Sequence, residues 1–138
     1  MASNEDKKKY LNRYRWDIKA LEEIEGEITR CRLGALPGGL NYDGMPHGSG
    51  GSSDLSDYAV KIDELLMEFR EKRERLMQDL RDISHAIDAV EDPRSNIILR
   101  YRYIQLKDWG FIAEAMGYAE EYVKRNLHGK ALKDFKIL

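Results

Sequence analysis

Between positions 121 and 130 the sequence sets out Glu121, Tyr122, Lys124, Arg125, His128 and Lys130, and Arg100 and Arg102 precede them. These side chains are donors of fixed geometry and sources of positive charge rather than nucleophiles. A guanidinium can donate two parallel hydrogen bonds to a flat pair of acceptors such as the major-groove edge of guanine, whereas an ammonium holds a phosphate as a point charge. With Val123 as the inward reference and about 100° of turn per residue, Glu121, Arg125 and His128 point away from a core. Tyr122 and Lys124 flank that face. Arg125 then suits a guanine, and Lys124 and Lys130 suit phosphates. Tyr122 suits a sugar or a thymine methyl, and Glu121 either accepts from a cytosine amino group or orients Arg125. Arg100 and Arg102 are further phosphate candidates from the preceding helix.

Other chemistries find no foothold in the sequence. His47, His85 and His128 fall in a loop and two separate helices, without ligand spacing to one another or to Cys31. No nucleophile stands near a base, and the many acids lie on helical surfaces. The expectation is a binding protein without catalysis, metal or cofactor. The lone cysteine, the polar start and the absence of a long apolar run point to the cytoplasm, with no membrane as partner.

The elements that would position these residues can be read around them. Ile112 and Met116 share one helix face, Gly117 supplies a tight left-handed turn, and Val123 and Leu127 open a second helix at the same spacing. Small Ala113 sits where the two helices must approach closely. This is the packing pattern of a helix-turn-helix, whose second helix enters the major groove of duplex DNA. Leu132 and Phe135 do not fall on the Val123 face. Asp108 is placed to cap the helix beginning at Trp109. Asp92-Pro93 marks a boundary, with Asp92 as cap and Pro93 in the first turn of a helix carrying Ile97, Ile98, Leu99, Tyr101 and Ile104.

Charge divides along the same line. From Arg94 onward nine Lys or Arg face five acids, a balance of +4, whereas the remainder carries −6. A basic C-terminal part beside an acidic body is what DNA binding by the C-terminal part requires.

Ahead of it, Leu11, Tyr14, Ile18, Leu21, Ile24 and Ile28 give an amphipathic helix over about 6–33, with Glu25 interrupting its seam. Residues 34–53 hold seven of the eleven glycines and two of the three prolines, which predicts a flexible loop. Asp54 or Ser56 caps a second long helix to about Val90, with a stripe of Tyr58, Ile62, Leu65, Leu66, Phe69, Leu76, Leu80, Ile83, Ile87 and Val90 broken at Lys72 and Arg73. The expected fold is all-α: a long antiparallel, coiled-coil-like hairpin over 1–92, then a small DNA-binding domain over 93–138. Two facing stripes leave apolar surface over, so a homo-oligomer, a dimer or larger, is expected.

Leu99-Arg-Tyr-Arg-Tyr103, Trp109, Ile112-Ala113, Met116-Gly117-Tyr118, Val123 and Ala131-Leu132 together resemble region four of sigma factors. The chain is most similar to phage and prophage proteins that join such an end to a helical N-terminal part, including the ArpU-like late transcriptional regulators. Gly44-Met45-Pro46-His47-Gly48 resembles a loop carried by that family. The resemblance implies a transcriptional regulator, an activator, of phage or prophage genes that binds double-stranded DNA and acts with host RNA polymerase in the bacterial cytoplasm. The sequence departs from the pattern at Ala119, where Ser or Thr usually caps, and at Gly110-Phe111, which replaces an acidic pair. The run from Val123 to Ala131 is also one residue longer than usual. A small terminase-like subunit of genome packaging and a purely structural assembly protein are the alternatives.

Overall fold

The computed structural model describes residues 2–35 and 51–138, which are helical with no strand among them. The fold class is all-α. Gly44-Met45-Pro46-His47-Gly48, and with it most of the expected loop, lies outside the described residues. Both edges of the expected loop are helical where they are described: Gly34 lies inside a helix, and so do residues 51–53. The helices are α1 (Asn4–Leu11), α2 (Arg13–Ala35), α3 (Gly51–Asp88), α4 (Pro93–Leu99), α5 (Trp109–Met116), α6 (Glu120–Tyr122) and α7 (His128–Asp134). Two π-helical turns interrupt the series, Arg100–Ile104 after α4 and Val123–Leu127 between α6 and α7.

Local chemistry sets the helix ends. The Ser3 hydroxyl accepts from the Asp6 N–H while the Asp6 carboxylate accepts from the Ser3 N–H, a capping box that starts α1 two residues before the expected Asp6. Asn12 separates α1 from α2, yet its N–H still donates to the Lys8 carbonyl and its carbonyl accepts from Trp16. Asp54 and Ser56 are not caps, because α3 begins at Gly51; nothing in 51–53 forbids helical backbone. Asp92 caps α4 through the Arg94 N–H with Pro93 in the first turn, and Asp108 caps α5 through the Phe111 N–H at 2.8 Å. Gly117, at φ 77°, ends α5 in the left-handed conformation expected of it, and the N–H groups of Gly117 and Tyr118 both donate to the Ala113 carbonyl.

The chain forms two compact units, one of Met1–Asp17 with Arg75–Leu138 and one of Ile18–Glu74. Asp92-Pro93 is therefore a helix boundary and not a boundary between cores. In the first unit Leu11, Ile83, Ile87 and Val90 are buried in the same cluster as Ile98, Leu99, Ile112, Val123, Leu127, Leu132 and Phe135. The Tyr10 ring lies 6.0 Å from that of Phe135, and the Lys7 ammonium donates to the Leu132 carbonyl at 2.7 Å. Each fully buried side chain of this size contributes about 1.5–3 kcal/mol relative to exposure, so α1 and the end of α3 are integral to the core that carries the C-terminal helices. In the second unit Ile24, Ile28 and Leu65 are buried, with Cys31, Ile62, Leu66 and Phe69 packed on them. The seam continues past exposed Glu25 because Ile24 and Ile28 are one turn apart.

Candidate nucleic-acid interface

The interface is built outward from four apolar side chains. Ile112 and Ala113 on α5 and Val123 and Leu127 on the second π-helical turn are all buried in one cluster. The small side chain of Ala113 allows close approach, and the left-handed Gly117 turns the chain between them. Fixing Val123 and Leu127 inward turns Glu121, Tyr122, Lys124, Arg125 and Asn126 out to solvent. The Arg125 Nε donates to the Glu121 Oε2 at 3.0 Å, with side chains 80% and 70% exposed. A pair that open contributes little to stability and separates readily, so Glu121 holds the guanidinium extended without locking it. The Tyr122 ring lies 5.5 Å from that of Tyr118, and the Arg94 guanidinium lies 5.5 Å from the Tyr118 ring centre.

His128 departs from expectation. It is buried, not outward, and its Nε2 is 2.7 Å from the Tyr103 hydroxyl, with the Trp109 ring at 4.6 Å. The cause is the π-helical turn. The His128 N–H donates to the Val123 carbonyl five residues back, so a residue five away, as well as one four away, comes round to the Val123 face. The α-helical step of about 100° overshoots here. The same correction carries Leu132 and Phe135, four and seven residues after His128, into the core. Burial, reinforced by the charges of Lys8 and Arg102, holds the His128 imidazole down at about 4, so it is neutral at ordinary pH.

Three of the expected phosphate contacts are engaged within the protein. Lys130 donates to Asp92 and, at 2.8 Å, to Asp134, while Ser95 also donates to Asp134 at 2.7 Å. The hydrogen bonds that Lys130 donates to Asp134 and Asp92 raise its ammonium above the ordinary value, and the same bonds hold both carboxyls down. Arg100 pairs with Asp88 and donates to Asn96, whose own amide donates to the carbonyls of Ile87 and Val90 at the end of α3. The Arg102 guanidinium lies 4.5 Å from the Trp109 ring centre and donates to the Lys107 carbonyl at 3.1 Å. Arg100 and Lys130 thus brace the core, and of the three only Arg102 borders the same cleft as the outward face.

That cleft has a volume of about 310 Å³ and brings Lys124, Arg125 and Arg102 together with Lys8 and Asn12. Lys8 and Asn12 were missed because they lie ninety or more residues away, on a polar N-terminal stretch with no local signal of a site. Among the described residues no three His, Cys, Asp or Glu side chains gather as metal ligands would, and no helix is long and apolar enough to cross a membrane. Comparison of the chain with family models, curated proteins and solved structures finds no match.

Proposed function

We propose that the protein is a sequence-specific double-stranded DNA-binding regulator, an activator of phage or prophage transcription working with host RNA polymerase, and not an enzyme. The observation that carries this reading is the outward face of Glu121, Tyr122, Lys124 and Arg125, solvent-exposed on a helix whose opposite side is pinned by Val123 and Leu127. The left-handed Gly117 between α5 and α6 supports treating the pair as a helix-turn-helix, and the likeness to sigma region four supports the transcriptional role. In this reading the helix opening at Glu120 lies in the major groove, with Arg125 on a guanine and Lys124 on the backbone. Exposed Leu33, Leu55, Val60 and Met67 in the second unit support self-association through an antiparallel hairpin of α2 and α3.

An electrophoretic shift on phage promoter fragments, competed with random duplex, tests the reading. A preferred fragment bound at least tenfold tighter than random DNA is expected; equal competition by both sinks the regulatory account. With RNA polymerase added, transcription from the preferred fragment rises.

A further inference from the structure

We infer that the cleft between α1 and the π-helical turn Val123–Leu127 is a phosphate site, and that α1 takes part in binding through Lys8 and Asn12. The inference deepens the DNA-binding reading above and rests on it for the backbone of a duplex as the source of the phosphate; a free phosphorylated small molecule would present the same group.

Four cations from three separate parts of the chain converge on the cleft: Lys8 from α1, Arg102 from the π-helical turn after α4, and Lys124 and Arg125 from the second. Among the described residues no carboxylate lines it. Glu5 beside Lys8 at 3.1 Å and Glu121 beside Arg125 are exposed partners one helical turn away and can swing into solvent, while Asp108 acts on Arg102 from outside the lining. The Asn12 amide adds a neutral donor suited to a phosphate oxygen. Two of the cations are preorganised. Arg102 is fixed by Trp109 and the Lys107 carbonyl, and Lys8 is placed by a helix whose next turn buries Leu11 completely.

The floor of the cleft is His128 bonded to Tyr103. Its imidazole is disfavoured as a cation first by burial and then by the charges of Lys8 and Arg102. A helix reading the groove alone would not use α1. Here the N-terminus of the chain is folded onto the reader's own core, so α1 can hold the backbone beside the groove that Arg125 enters.

The test uses the full chain with Trp16→Phe, a substitution of an exposed residue, so that Trp109 alone reports on the cleft by fluorescence. Inorganic pyrophosphate is titrated first, then a mixed-sequence duplex over a range of salt, each with and without Lys8→Gln. Circular dichroism checks that the variant is folded. Pyrophosphate is expected to change the Trp109 emission, with binding about tenfold weaker in Lys8→Gln; the duplex is expected to bind that variant more weakly, with the salt slope reduced by about 1. A Lys8-dependent response to pyrophosphate with an unchanged duplex slope assigns the cleft to a free phosphate and removes α1 from the DNA surface. Indifference of both ligands to Lys8→Gln in a folded variant overturns the site, even if Lys124→Gln still weakens the duplex and the DNA reading stands. A wild-type chain that binds pyrophosphate through Lys8 but no duplex leaves the site and ends the DNA reading.

Discussion

The helix that opens at Glu120 exposes most of its first six residues and buries most of one face of its last eight. In the first part only Val123 is inward, and Glu121, Tyr122, Lys124 and Arg125 stand in solvent. In the second part His128, Ala131 and Leu132 are buried, as is Phe135 just beyond the helix, and Lys130 is tied to Asp92 and Asp134. A single π-helical turn separates a surface that can meet a partner from a segment that holds the unit together. The difference teaches that one additional residue can change which amino acids are structural and which are free.

The largest effects should come from the buried half. Phe135→Ala removes a fully buried ring packed against Tyr10 and is expected to cost about 3–5 kcal/mol, enough to unfold much of the first unit in a urea titration. Deleting Asn126 should do far less. Removal of that exposed residue from the π-helical turn sets Leu127 and His128 three and four positions after Val123, which in a regular α-helix is the same face. A change of about 1 kcal/mol or less is expected, on the scale of an ordinary surface substitution. If the deletion unfolds the protein as Phe135→Ala does, the account of the turn as one absorbed residue is wrong.

Next in size is the buried polar pair. Tyr103→Phe leaves the His128 Nε2 without its partner and should cost about 1–2 kcal/mol, part of it recovered when His128→Leu is added. The pH dependence follows from the low folded value. The unfolded chain takes up a proton near 6.5, while the folded one resists until about 4. The stability tied to His128 is therefore present above 6.5 and lost as pH falls toward 4, and His128→Leu should remove that slope.

Asp17 should show the opposite sign. Burial, then a hydrogen bond shared with Asp79 and that group's charge, push its carboxyl up to about 7, against Arg75 and Arg13. Among the described residues the buried Asp17 Oδ2 has no hydrogen-bond partner. The folded chain thus keeps a proton that the unfolded chain releases near 3.8, so stability is present below that value and lost as pH rises through about 7. Asp17→Asn is expected to match the wild type at pH 4 and to melt a few degrees higher at pH 8 in thermal scans. A melting temperature that climbs from pH 5 to 8 in His128→Leu, with Asp17 unaltered, would contradict the shared proton.

Much of the local structure was legible because it depends on few residues at close range. Asp92-Pro93, Asp108 and Gly117 act within their own turns, and the apolar stripes of α2 and α3 are periodic over many turns. What escaped depended on contacts at long range or on a break in period. The outward reading of His128 assumed an unbroken α-helix, and an i,i+5 hydrogen bond defeats that assumption. The division at Asp92-Pro93 treated a helix boundary as a domain boundary, but Leu11 and Ile87 share a core with Phe135. Lys130 looked free as one cation on a basic stretch, and its partner Asp92 lies 38 residues away. Lys8 and Asn12 gave no local signal at all.

The smallest effect on stability should be the most informative for function. Arg125→Ala and Glu121→Ala each remove one member of an exposed pair, and both should stay within about 0.5 kcal/mol of the wild type. Their effects on DNA should diverge. Arg125→Ala removes the bidentate donor and is expected to weaken the preferred sequence by about 1–3 kcal/mol while barely altering random duplex, so discrimination falls. Glu121→Ala removes a negative charge facing the phosphates and frees Arg125, so random DNA should bind more tightly and discrimination should again fall, this time from the non-specific side. Equal losses on both sequences in Arg125→Ala would make that arginine a backbone contact and move base reading to another residue of the exposed half, with Tyr122 and Asn126 the nearest on the same surface.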